Sequence, residues 1–341
     1  MRYPNALPNQ GKIGFVAPSF GCAIEPYRTA FDHALTQFHQ QGYGTVLGPN
    51  TYADCGIGIS NTPQLCAKEL MEAYQSKESD VLISCGGGEL MCEVVPYLDF
   101  QAIRDAAPKW YMGYSDNTNF TFLSATLADT AAIYGPCAAS FGMEPWHESL
   151  QDAMDVLCGR SNHVGGYPLW EIESKKDETH PLAPYHLTEQ THYVYAGEQR
   201  EAHMSGRLIG GCMDCLVTLL GTSFDGVKDF ADRYAQDGIL WFLEACDLNV
   251  MGIRRSIWQM KHAGWFRHVK GFLIGRPMHY GEDLMGLTQY EAVTELLREY
   301  DVPIVMDLCI GHLPPMMPLV TGAMANVDAV GDEIHIQYEF R

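Results

Sequence analysis

The amino-acid sequence predicts an α/β fold in which a mostly parallel sheet is flanked by helices. Short apolar runs of strand length alternate with longer segments whose apolar residues recur at helical spacing. Several of these runs end directly in glycine, serine or a carboxylate, as in "DVLISCGGG", "WYMGYS" and "ILWFLE". Because ligands of open parallel sheets lie beyond the carboxyl ends of the strands, we expect the functional residues at these positions.

The first half of the chain shows the alternation clearly. We expect a further helix to begin at Ser115, where polar residues follow the aromatic apolar run. The predicted elements before it are a strand in "KIGFVAPS" (12–19), a helix in "PYRTAFDHALTQFHQQG" (26–42), a short strand in "TVLGPN" (45–50), a helix in "TPQLCAKELMEAYQ" (62–75), and strands in "DVLISCGGG" (80–88) and "WYMGYS" (110–115).

A stretch rich in glycine, proline, histidine and charge interrupts the alternation between Ser161 and His203. We interpret it as an interdomain crossing with a few short strands. Beyond it we predict strands in "RLIGG" (207–211), "GILWFLEA" (238–245), "KGFLIG" (270–275) and "PIVMDL" (303–308), and helices in "CMDCLVTLLG" (212–221), "NVMGIRRSIWQMKHAG" (249–264) and "LTQYEAVTELLREY" (287–300). The predicted organisation is a first domain over residues 1–160, the crossing segment 161–203 and a second domain over residues 204–341.

The composition is typical of a globular protein. Its 341 residues, 47% of them hydrophobic, suffice for two domains or one large one. The formal net charge of −20 and the lack of a Lys/Arg cluster argue against a nucleic-acid partner. No apolar run approaches the ~18 residues of a membrane span, and the first residues lack the apolar region of a signal peptide. The 11 cysteines are scattered, as in a reducing compartment, so we expect a cytoplasmic protein without a membrane partner.

Ser115 in "KWYMGYSDNTNF" stands where a strand ends and a helix begins. One interpretation is that Ser115 caps the helix, with Asp116 and Asn117 satisfying further free N–H groups. The other is that Gly113 permits a tight turn, which exposes Ser115 as a nucleophile beside the positive end of the helix. The second interpretation requires a base and an orienting carboxylate elsewhere in the chain.

Two residues of the second half stand where such partners are expected. Glu244 ends the apolar strand "ILWFLE", where a carboxylate is costly unless it is paired or hydrogen-bonded. His312 lies in the Gly/Pro-rich loop "DLCIGHLPPMMP" directly after a strand. The alternatives are that Glu244 is hydrated or paired with Arg254, and that His312 merely bonds to backbone.

Five motifs in one order and at fitting separations carry a family resemblance. They are "GGGE…PYLDF" at 86–100, "GYSDNT" at 113–118, "GRLIGG" at 206–211, "WFLEACD" at 241–247 and "GH…P…G" at 311–322. Together they resemble the LD-carboxypeptidase family of serine peptidases, which includes murein tetrapeptide carboxypeptidases and microcin C immunity peptidases. The resemblance covers nearly the whole chain, with residues 161–203 as its least assignable part.

The resemblance implies a Rossmann-like N-terminal domain with a smaller α/β C-terminal domain, assembled as a homodimer. It also implies that Ser115 is the nucleophile, Glu244 the acid and His312 the base. The backbone N–H groups of Asp116 and Gly88 would form the oxyanion hole. No metal or other cofactor is expected. The chain departs from the family pattern at two places that are expected near the substrate and outside the triad. Cys212 stands where family members usually have asparagine. Glu89 begins a Glu-Leu-Met run where they often have Asp, Asn or Ser.

The implied substrate is a small peptide or a peptidyl nucleotide. One candidate is the L,D bond before the terminal D-alanine of a murein tetrapeptide, and the other is the amide of a peptidyl or aminoacyl nucleotide, as in microcin C. In the second case Trp170, or one of Tyr185, Tyr193 and Tyr195, would stack on the base, unless these rings pack the interdomain seam. Arg276 is a candidate clamp for a substrate carboxylate, or else a solvated strand-end charge.

Other function classes have weaker support in the sequence. The sequence shows no metal-ligand spacing such as HExxH, so it gives little support to a metal hydrolase. Cys212 and Cys215 form a CxxC at a predicted helix start, but the surrounding order is not that of a thioredoxin-like unit. The "CGGGEL" turn lacks the spacing of a dinucleotide-binding loop. A non-enzymatic two-domain binding protein remains the alternative to an enzyme.

Overall fold

A computed structural model describes all 341 residues and contains sixteen strands and ten α-helices. The strands are β1 (Lys12–Val16), β2 (Gly44–Leu47), β3 (Val81–Ser84), β4 (Tyr111–Gly113), β5 (Ala132–Tyr134), β6 (His163–Gly165), β7 (Leu169–Trp170), β8 (Glu189–Gln190), β9 (Val194–Tyr195), β10 (Glu201–Cys212), β11 (Ile239–Glu244), β12 (Val269–Gly275), β13 (Ile304–Leu308), β14 (Leu319–Thr321), β15 (Met324–Val330) and β16 (Glu333–Glu339). The helices are α1 (Tyr27–Gln40), α2 (Pro63–Gln75), α3 (Met91–Val94), α4 (Phe100–Asp105), α5 (Thr118–Thr126), α6 (Glu148–Leu157), α7 (Met213–Leu219), α8 (Val227–Arg233), α9 (Val250–His262) and α10 (Gln289–Leu297).

The first sheet has six strands in the order β14-β5-β4-β3-β1-β2. Strands β1 to β5 are all parallel, which confirms the mostly parallel sheet predicted for this half of the chain. The sixth strand, β14, comes from the far end of the chain and pairs antiparallel with β5. The order 2-1-3-4-5 of the parallel strands is that of a doubly wound sheet, which binds ligands where the strand order reverses.

The second sheet has eight strands in the order β6-β16-β15-β10-β11-β12-β13-β9. Its central strands β10 to β13 are parallel, and antiparallel strands flank them on both sides. The crossing segment supplies both edges of this sheet, because β6 pairs with β16 and β9 with β13. Strands β7 and β8 form a separate two-stranded ribbon within the same segment.

Helix α5 joins the two halves of the core. All nine of its residues are buried, as expected for a helix packed on every side. The Phe122 ring lies 5.6 Å from that of Trp265, which in turn stacks at 5.7 Å on Trp241 of β11. Because α5 follows Ser115 directly, this packing holds the serine in a fixed position between the sheets.

Two further features concern the whole molecule. None of the helices has the length and apolar character that crossing a membrane requires. All 11 cysteines are unpaired, so no disulfide framework contributes to the fold.

Candidate active site

The carboxyl ends of strands from both sheets converge on one site. Strand β3 leads into the glycine turn Gly86–Gly88, and β4 leads through Tyr114 to Ser115. From the second sheet, β11 ends at Glu244 and the loop after β13 carries His312. Residues nearly two hundred positions apart therefore meet, as the strand-end argument predicts.

Ser115, His312 and Glu244 form a continuous chain of hydrogen bonds. The Oγ of Ser115 lies 2.9 Å from Nε2 of His312, and Nδ1 of His312 lies 2.9 Å from Oε2 of Glu244. Glu244 is 1% exposed, and Arg254 pairs instead with Glu295 at 2.6 Å. The alternatives of a hydrated Glu244, an Arg254 pair and a backbone-bonded His312 are therefore wrong.

Ser115 occupies a strained backbone position and does not act as a simple helix cap. Its φ is +63°, a left-handed conformation that is uncommon for residues other than glycine. Neither the short 3₁₀ turn at Ser115 nor α5 has a side-chain cap, and the Ser115 hydroxyl bonds to His312 instead of to a backbone N–H. The turn resembles the strained elbows that expose nucleophiles at the end of a strand.

Neighbouring glycines allow the backbone to approach this elbow closely. A Cβ on Gly87 would lie 3.1 Å from the Cβ of Ser115. Gly211 has a φ of +151°, and a Cβ there would lie 2.5 Å from the Thr118 side chain. Asn117 links the nucleophile turn to the glycine turn, since its side-chain amide donates to the carbonyl of Gly86 at 2.8 Å. The "GGGE" motif thus makes room for Ser115, and the "GRLIGG" motif for the start of α5.

Backbone N–H groups beside Ser115 have no acceptor within the protein. This holds for Asp116 and for Gly88, the two oxyanion donors expected from the sequence, and also for Gly87. Asp116 is fixed by its side chain, whose Oδ2 accepts from Ser19 and from the N–H of Met91. Free donors at the start of a helical turn suit an oxygen that becomes negatively charged.

Tyr134, at the end of β5, is a site residue that the sequence analysis missed. Its hydroxyl donates to Oε1 of Glu244 at 2.6 Å and accepts from the N–H of Ser115 at 3.1 Å. It therefore links the nucleophile turn to the carboxylate across the two sheets. The signal was present in "AIYGP", a polar tip at a strand end before glycine and proline.

Burial and mutual charge set the protonation of the histidine and glutamate. Burial alone would lower the pKa of His312, but the adjacent Glu244 carboxylate raises that pKa well above its usual value. Burial alone would raise the pKa of Glu244, but the His312 charge holds it below the usual value. The pair therefore favours imidazolium and carboxylate, the state that follows proton transfer from serine.

This raised pKa predicts the pH dependence of activity. His312 must be neutral to accept a proton, so kcat/KM should fall as pH drops through the histidine pKa. We expect the midpoint of this acid limb above 6.5, the ordinary value for histidine. A pH profile of kcat/KM measures it, with Glu89→Gln as a control because the nearby Glu89 carboxyl also has a raised pKa. A midpoint at or below 6.5 in both proteins would contradict the assignment.

Ser115 lines two cavities. The first, of about 140 Å³, is named the acidic cavity after Glu89, Asp116, Asp214 and Asp247, which line it with Asn119. The second, of about 340 Å³, is named the aromatic cavity after Phe20, Tyr27 and Tyr114. No lysine or arginine lines either cavity.

Both sequence departures noted above lie at this site. Cys212 and Glu89 line the acidic cavity, as expected for positions near the substrate. The Cys212 thiol donates to Asp214 at 3.3 Å, and the Cys215 thiol contacts the Ser115 carbonyl at 3.6 Å. These cysteines pack around the elbow as thiols and form no disulfide.

Trp170 and Arg276 contact each other but line neither cavity. Trp170 is 4% exposed, its indole donates to the carbonyl of Gln190, and the Arg276 guanidinium lies 4.8 Å from its ring centre. The ring is thus buried against Arg276 and Tyr280 and away from Ser115, which favours the packing alternative over the expected base stacking.

Arg276 is buried, with 1% exposure, and donates to the carbonyl of Asp307 at 2.7 Å. It is therefore neither a solvated strand-end charge nor placed as a clamp beside Ser115. Of the other aromatic residues considered for stacking (Tyr185, Tyr193 and Tyr195), none lines either cavity.

An α/β protein with a serine, a histidine and a carboxylate hydrogen-bonded in series has the site architecture of serine hydrolases. Comparison with known protein families supports this class of enzyme. Residues 13–135 match the LD-carboxypeptidase N-terminal domain, and residues 205–327 match the LD-carboxypeptidase C-terminal domain. The chain belongs to the LD-carboxypeptidase family and is a serine-type carboxypeptidase.

Similar proteins span nearly the same length. A putative carboxypeptidase of Vibrio cholerae is 26% identical, covering 96% of this chain and 95% of its own. The microcin C7 self-immunity protein MccF of Escherichia coli is 25% identical, covering 96% and 93%. A murein tetrapeptide carboxypeptidase of Pseudomonas aeruginosa is 22% identical, covering 89% of each.

Solved structures share the fold. An MccF-like protein from Bacillus anthracis superposes with a TM-score of 0.82 at 22% identity, covering 99% of this chain and 100% of its own. MccF in complex with aspartyl sulfamoyl adenosine gives a TM-score of 0.81 at 22% identity, covering 99% and 98%. The two-domain α/β architecture expected from the sequence is thereby confirmed.

Proposed function

We propose that this carboxypeptidase hydrolyses an amide bond through an acyl-enzyme, with Ser115 as nucleophile, His312 as base and Glu244 as orienting carboxylate. The observation that carries the proposal is the unbroken hydrogen-bonded chain of these three side chains, with both bonds at 2.9 Å. Such a chain suits serine catalysis, in which the hydroxyl loses its proton as it attacks a carbonyl carbon.

Each group then has a defined step. Nε2 of His312 takes the Ser115 proton and later returns it to the leaving amine, while Glu244 fixes the imidazole tautomer and stabilises its charge. The N–H groups of Asp116 and Gly88 hold the oxyanion, a contribution of about 3–4 kcal/mol per donor in comparable sites. Water, activated by the same histidine, releases the acyl group.

A fluorophosphonate probe tests the activated serine directly. We expect the probe to label the protein at Ser115, as located by peptide mass spectrometry, because only a serine beside a base is nucleophilic at neutral pH. Ser223→Ala is the matched control, since Ser223 is exposed and has no histidine partner. Labelling that persists in Ser115→Ala, or its absence from the folded wild-type protein, would contradict the proposal.

Two substrate classes remain candidates. The first is the murein tetrapeptide expected from the sequence, which the murein tetrapeptide carboxypeptidase among the relatives supports. The second is an aminoacyl or peptidyl nucleotide, supported by MccF structures that hold aminoacyl sulfamoyl nucleosides. The aromatic cavity favours the second, because Phe20, Tyr27 and Tyr114 offer rings to a base and no lysine or arginine is present to bind a terminal carboxylate.

Measuring kcat/KM for a murein tetrapeptide and for an aminoacyl sulfamoyl adenosine in parallel assays decides between these classes. We expect the higher kcat/KM for the nucleotide. The homodimer and the cytoplasmic location predicted from the sequence stay predictions.

A further inference from the structure

A single buried hydroxyl lies between the two residues that supply the oxyanion donors. Ser19, in the loop after β1, is fully buried, and its Oγ donates to Oδ2 of Asp116. A Cβ on Gly88 would lie 2.1 Å from the same Oγ, so the hydroxyl occupies the space that a side chain at Gly88 would need. Ser19 lines neither the acidic nor the aromatic cavity. It therefore contacts both donor residues and does not face the space open to substrate.

The Asp116 carboxylate fixes the residue that follows the strained elbow. Ser115 has a φ of +63°, and such a conformation persists only where neighbouring contacts hold it. Besides the Ser19 hydroxyl, the carboxylate accepts from the N–H of Met91 at 2.8 Å and from Nδ2 of Asn119 at 3.0 Å. Asp116 is 3% exposed, so the loss of one donor leaves part of a buried charge without a partner. Any shift of this side chain moves the N–H of the same residue.

The residue next to Ser19 orients the other donor. The N–H of Phe20 donates to the carbonyl of Gly87 at 2.8 Å. This carbonyl and the N–H of Gly88 belong to one trans peptide group, in which they point in opposite directions. The bond therefore directs the Gly88 N–H away from Phe20. The Ser19 carbonyl accepts from the N–H of Ser60 at 2.6 Å, so the loop that holds both donors is itself anchored.

We propose that Ser19 is a positioning residue for the oxyanion hole, and that its hydroxyl sets the spacing between the N–H of Asp116 and the N–H of Gly88. The inference rests on the proposed function, because these donors have a role only if an oxyanion forms at Ser115. Oxyanion donors act at about 2.7–3.1 Å from the developing charge, so a small displacement weakens the transition state. It leaves the contacts of the bound substrate in place. Loss of the Ser19 hydroxyl should therefore slow the chemical step alone.

The rate of fluorophosphonate labelling tests this role without a known substrate. Phosphonylation joins Oγ of Ser115 to phosphorus and expels fluoride, while His312 takes the hydroxyl proton and the phosphoryl oxygen occupies the oxyanion hole. We expect Ser19→Ala to lower the second-order rate constant by about ten- to a hundredfold, less than the roughly 10²- to 10³-fold loss from a deleted donor. For the substrate class that the wild type hydrolyses, kcat should fall by a similar factor while KM stays within about threefold.

Ser124→Ala is the matched control. Ser124 is 1% exposed, and its Oγ donates to the carbonyl of Thr130 at 3.0 Å. It lines neither cavity. The substitution also removes a buried serine hydroxyl and its hydrogen bond, so thermal unfolding of the two variants shows how much stability each loses. Ser124→Ala should leave the labelling rate and kcat unchanged.

A second substitution breaks the same contact from its other side. Asp116→Asn weakens the acceptor of the Ser19 hydroxyl, so it should also lower kcat at nearly constant KM, and it carries the test should Ser19→Ala not fold. Ser19→Ala/Asp116→Asn should be within about threefold of the slower single variant, because substitutions in one contact are not additive. Losses that multiply would mean that Ser19 does not act through Asp116.

The pH profile separates Ser19 from the triad. The Ser19 hydroxyl bonds to Asp116, whereas His312 bonds to Ser115 and Glu244. The midpoint of the acid limb of the labelling rate should therefore be the same in Ser19→Ala and the wild type. A loss of rate with a shifted midpoint would show that Ser19 acts through His312, and would overturn the positioning of the donors.

The outcomes also separate this inference from the proposed function. A folded wild-type protein that is not labelled overturns the acyl-enzyme proposal and the inference with it. A labelled wild type beside a Ser19→Ala protein that reacts within about threefold of its rate overturns the role of Ser19 alone. Equal losses in Ser19→Ala and Ser124→Ala do the same, since the loss would then come from general destabilisation.

Discussion

Replacing Ser115 by alanine should lower kcat by about 10⁴- to 10⁶-fold, the range seen when a serine nucleophile is removed from a triad. The Oγ is the atom that attacks, and it lies 2.9 Å from Nε2 of His312. Turnover at saturating substrate measures the loss. The N–H groups of Asp116 and Gly88 remain, so substrate binding and a small residual rate should survive.

The control for this prediction is the state of the folded protein. The serine side chain loses only one hydrogen bond, so circular dichroism and thermal unfolding of Ser115→Ala should resemble the wild type. Ser115→Ala/His312→Ala should be about as slow as either single variant, because residues that act as a unit are not additive. A folded Ser115→Ala protein with more than a tenth of normal turnover would show that another group is the nucleophile.

Replacing Glu244 by glutamine should lower kcat by about 10³- to 10⁴-fold, as in other triads that lose the carboxylate charge. Glutamine keeps the volume of this buried side chain. It removes the charge that stabilises protonated His312, and its amide N–H can hold the imidazole in the wrong tautomer. The acid limb of the pH profile should therefore move to lower pH as the histidine pKa falls.

Tyr134→Phe is the matched control, since it removes the hydroxyl that bonds to Oε1 of Glu244 and to the N–H of Ser115 but keeps the carboxylate charge. We expect it to lower kcat by only about ten- to a hundredfold, the value of one hydrogen bond to a charged group, with a small change in the pH profile. Equal losses in Glu244→Gln and Tyr134→Phe would mean that Glu244 acts by packing and not by charge.

Much of the local structure and chemistry could be predicted from the sequence. Apolar runs of strand length ending in glycine or a polar residue correctly located β3, β4 and β11, because a buried strand must leave the core where its apolar residues end. The same rule identified Ser115, Glu244 and His312, which the structure brings within hydrogen-bonding distance. Five motifs in register then indicated the family, which the comparisons confirm.

The tertiary structure decided what depends on neighbours distant in sequence. Tyr134 was missed because its role arises only when β5 of one sheet lies against the end of β11 in the other. Strand β14 could not be assigned to the first sheet, since its partner lies nearly two hundred residues away.

The surroundings of Trp170, Arg276 and Asn119 could not be predicted from the sequence for the same reason. An indole suited to stacking is instead covered by a guanidinium, and an arginine at a strand end is buried. The acidic cavity assembles carboxylates from two loops, a 3₁₀ turn and helix α7, and one amide oxygen of its lining residues has no partner. By itself the sequence determined where strands end and which reactive groups stand there, because burial periodicity and turn residues are local properties. Which of those groups line the same cavity, and which of them have no hydrogen-bond partner there, was decided only by the packing of one sheet against the other.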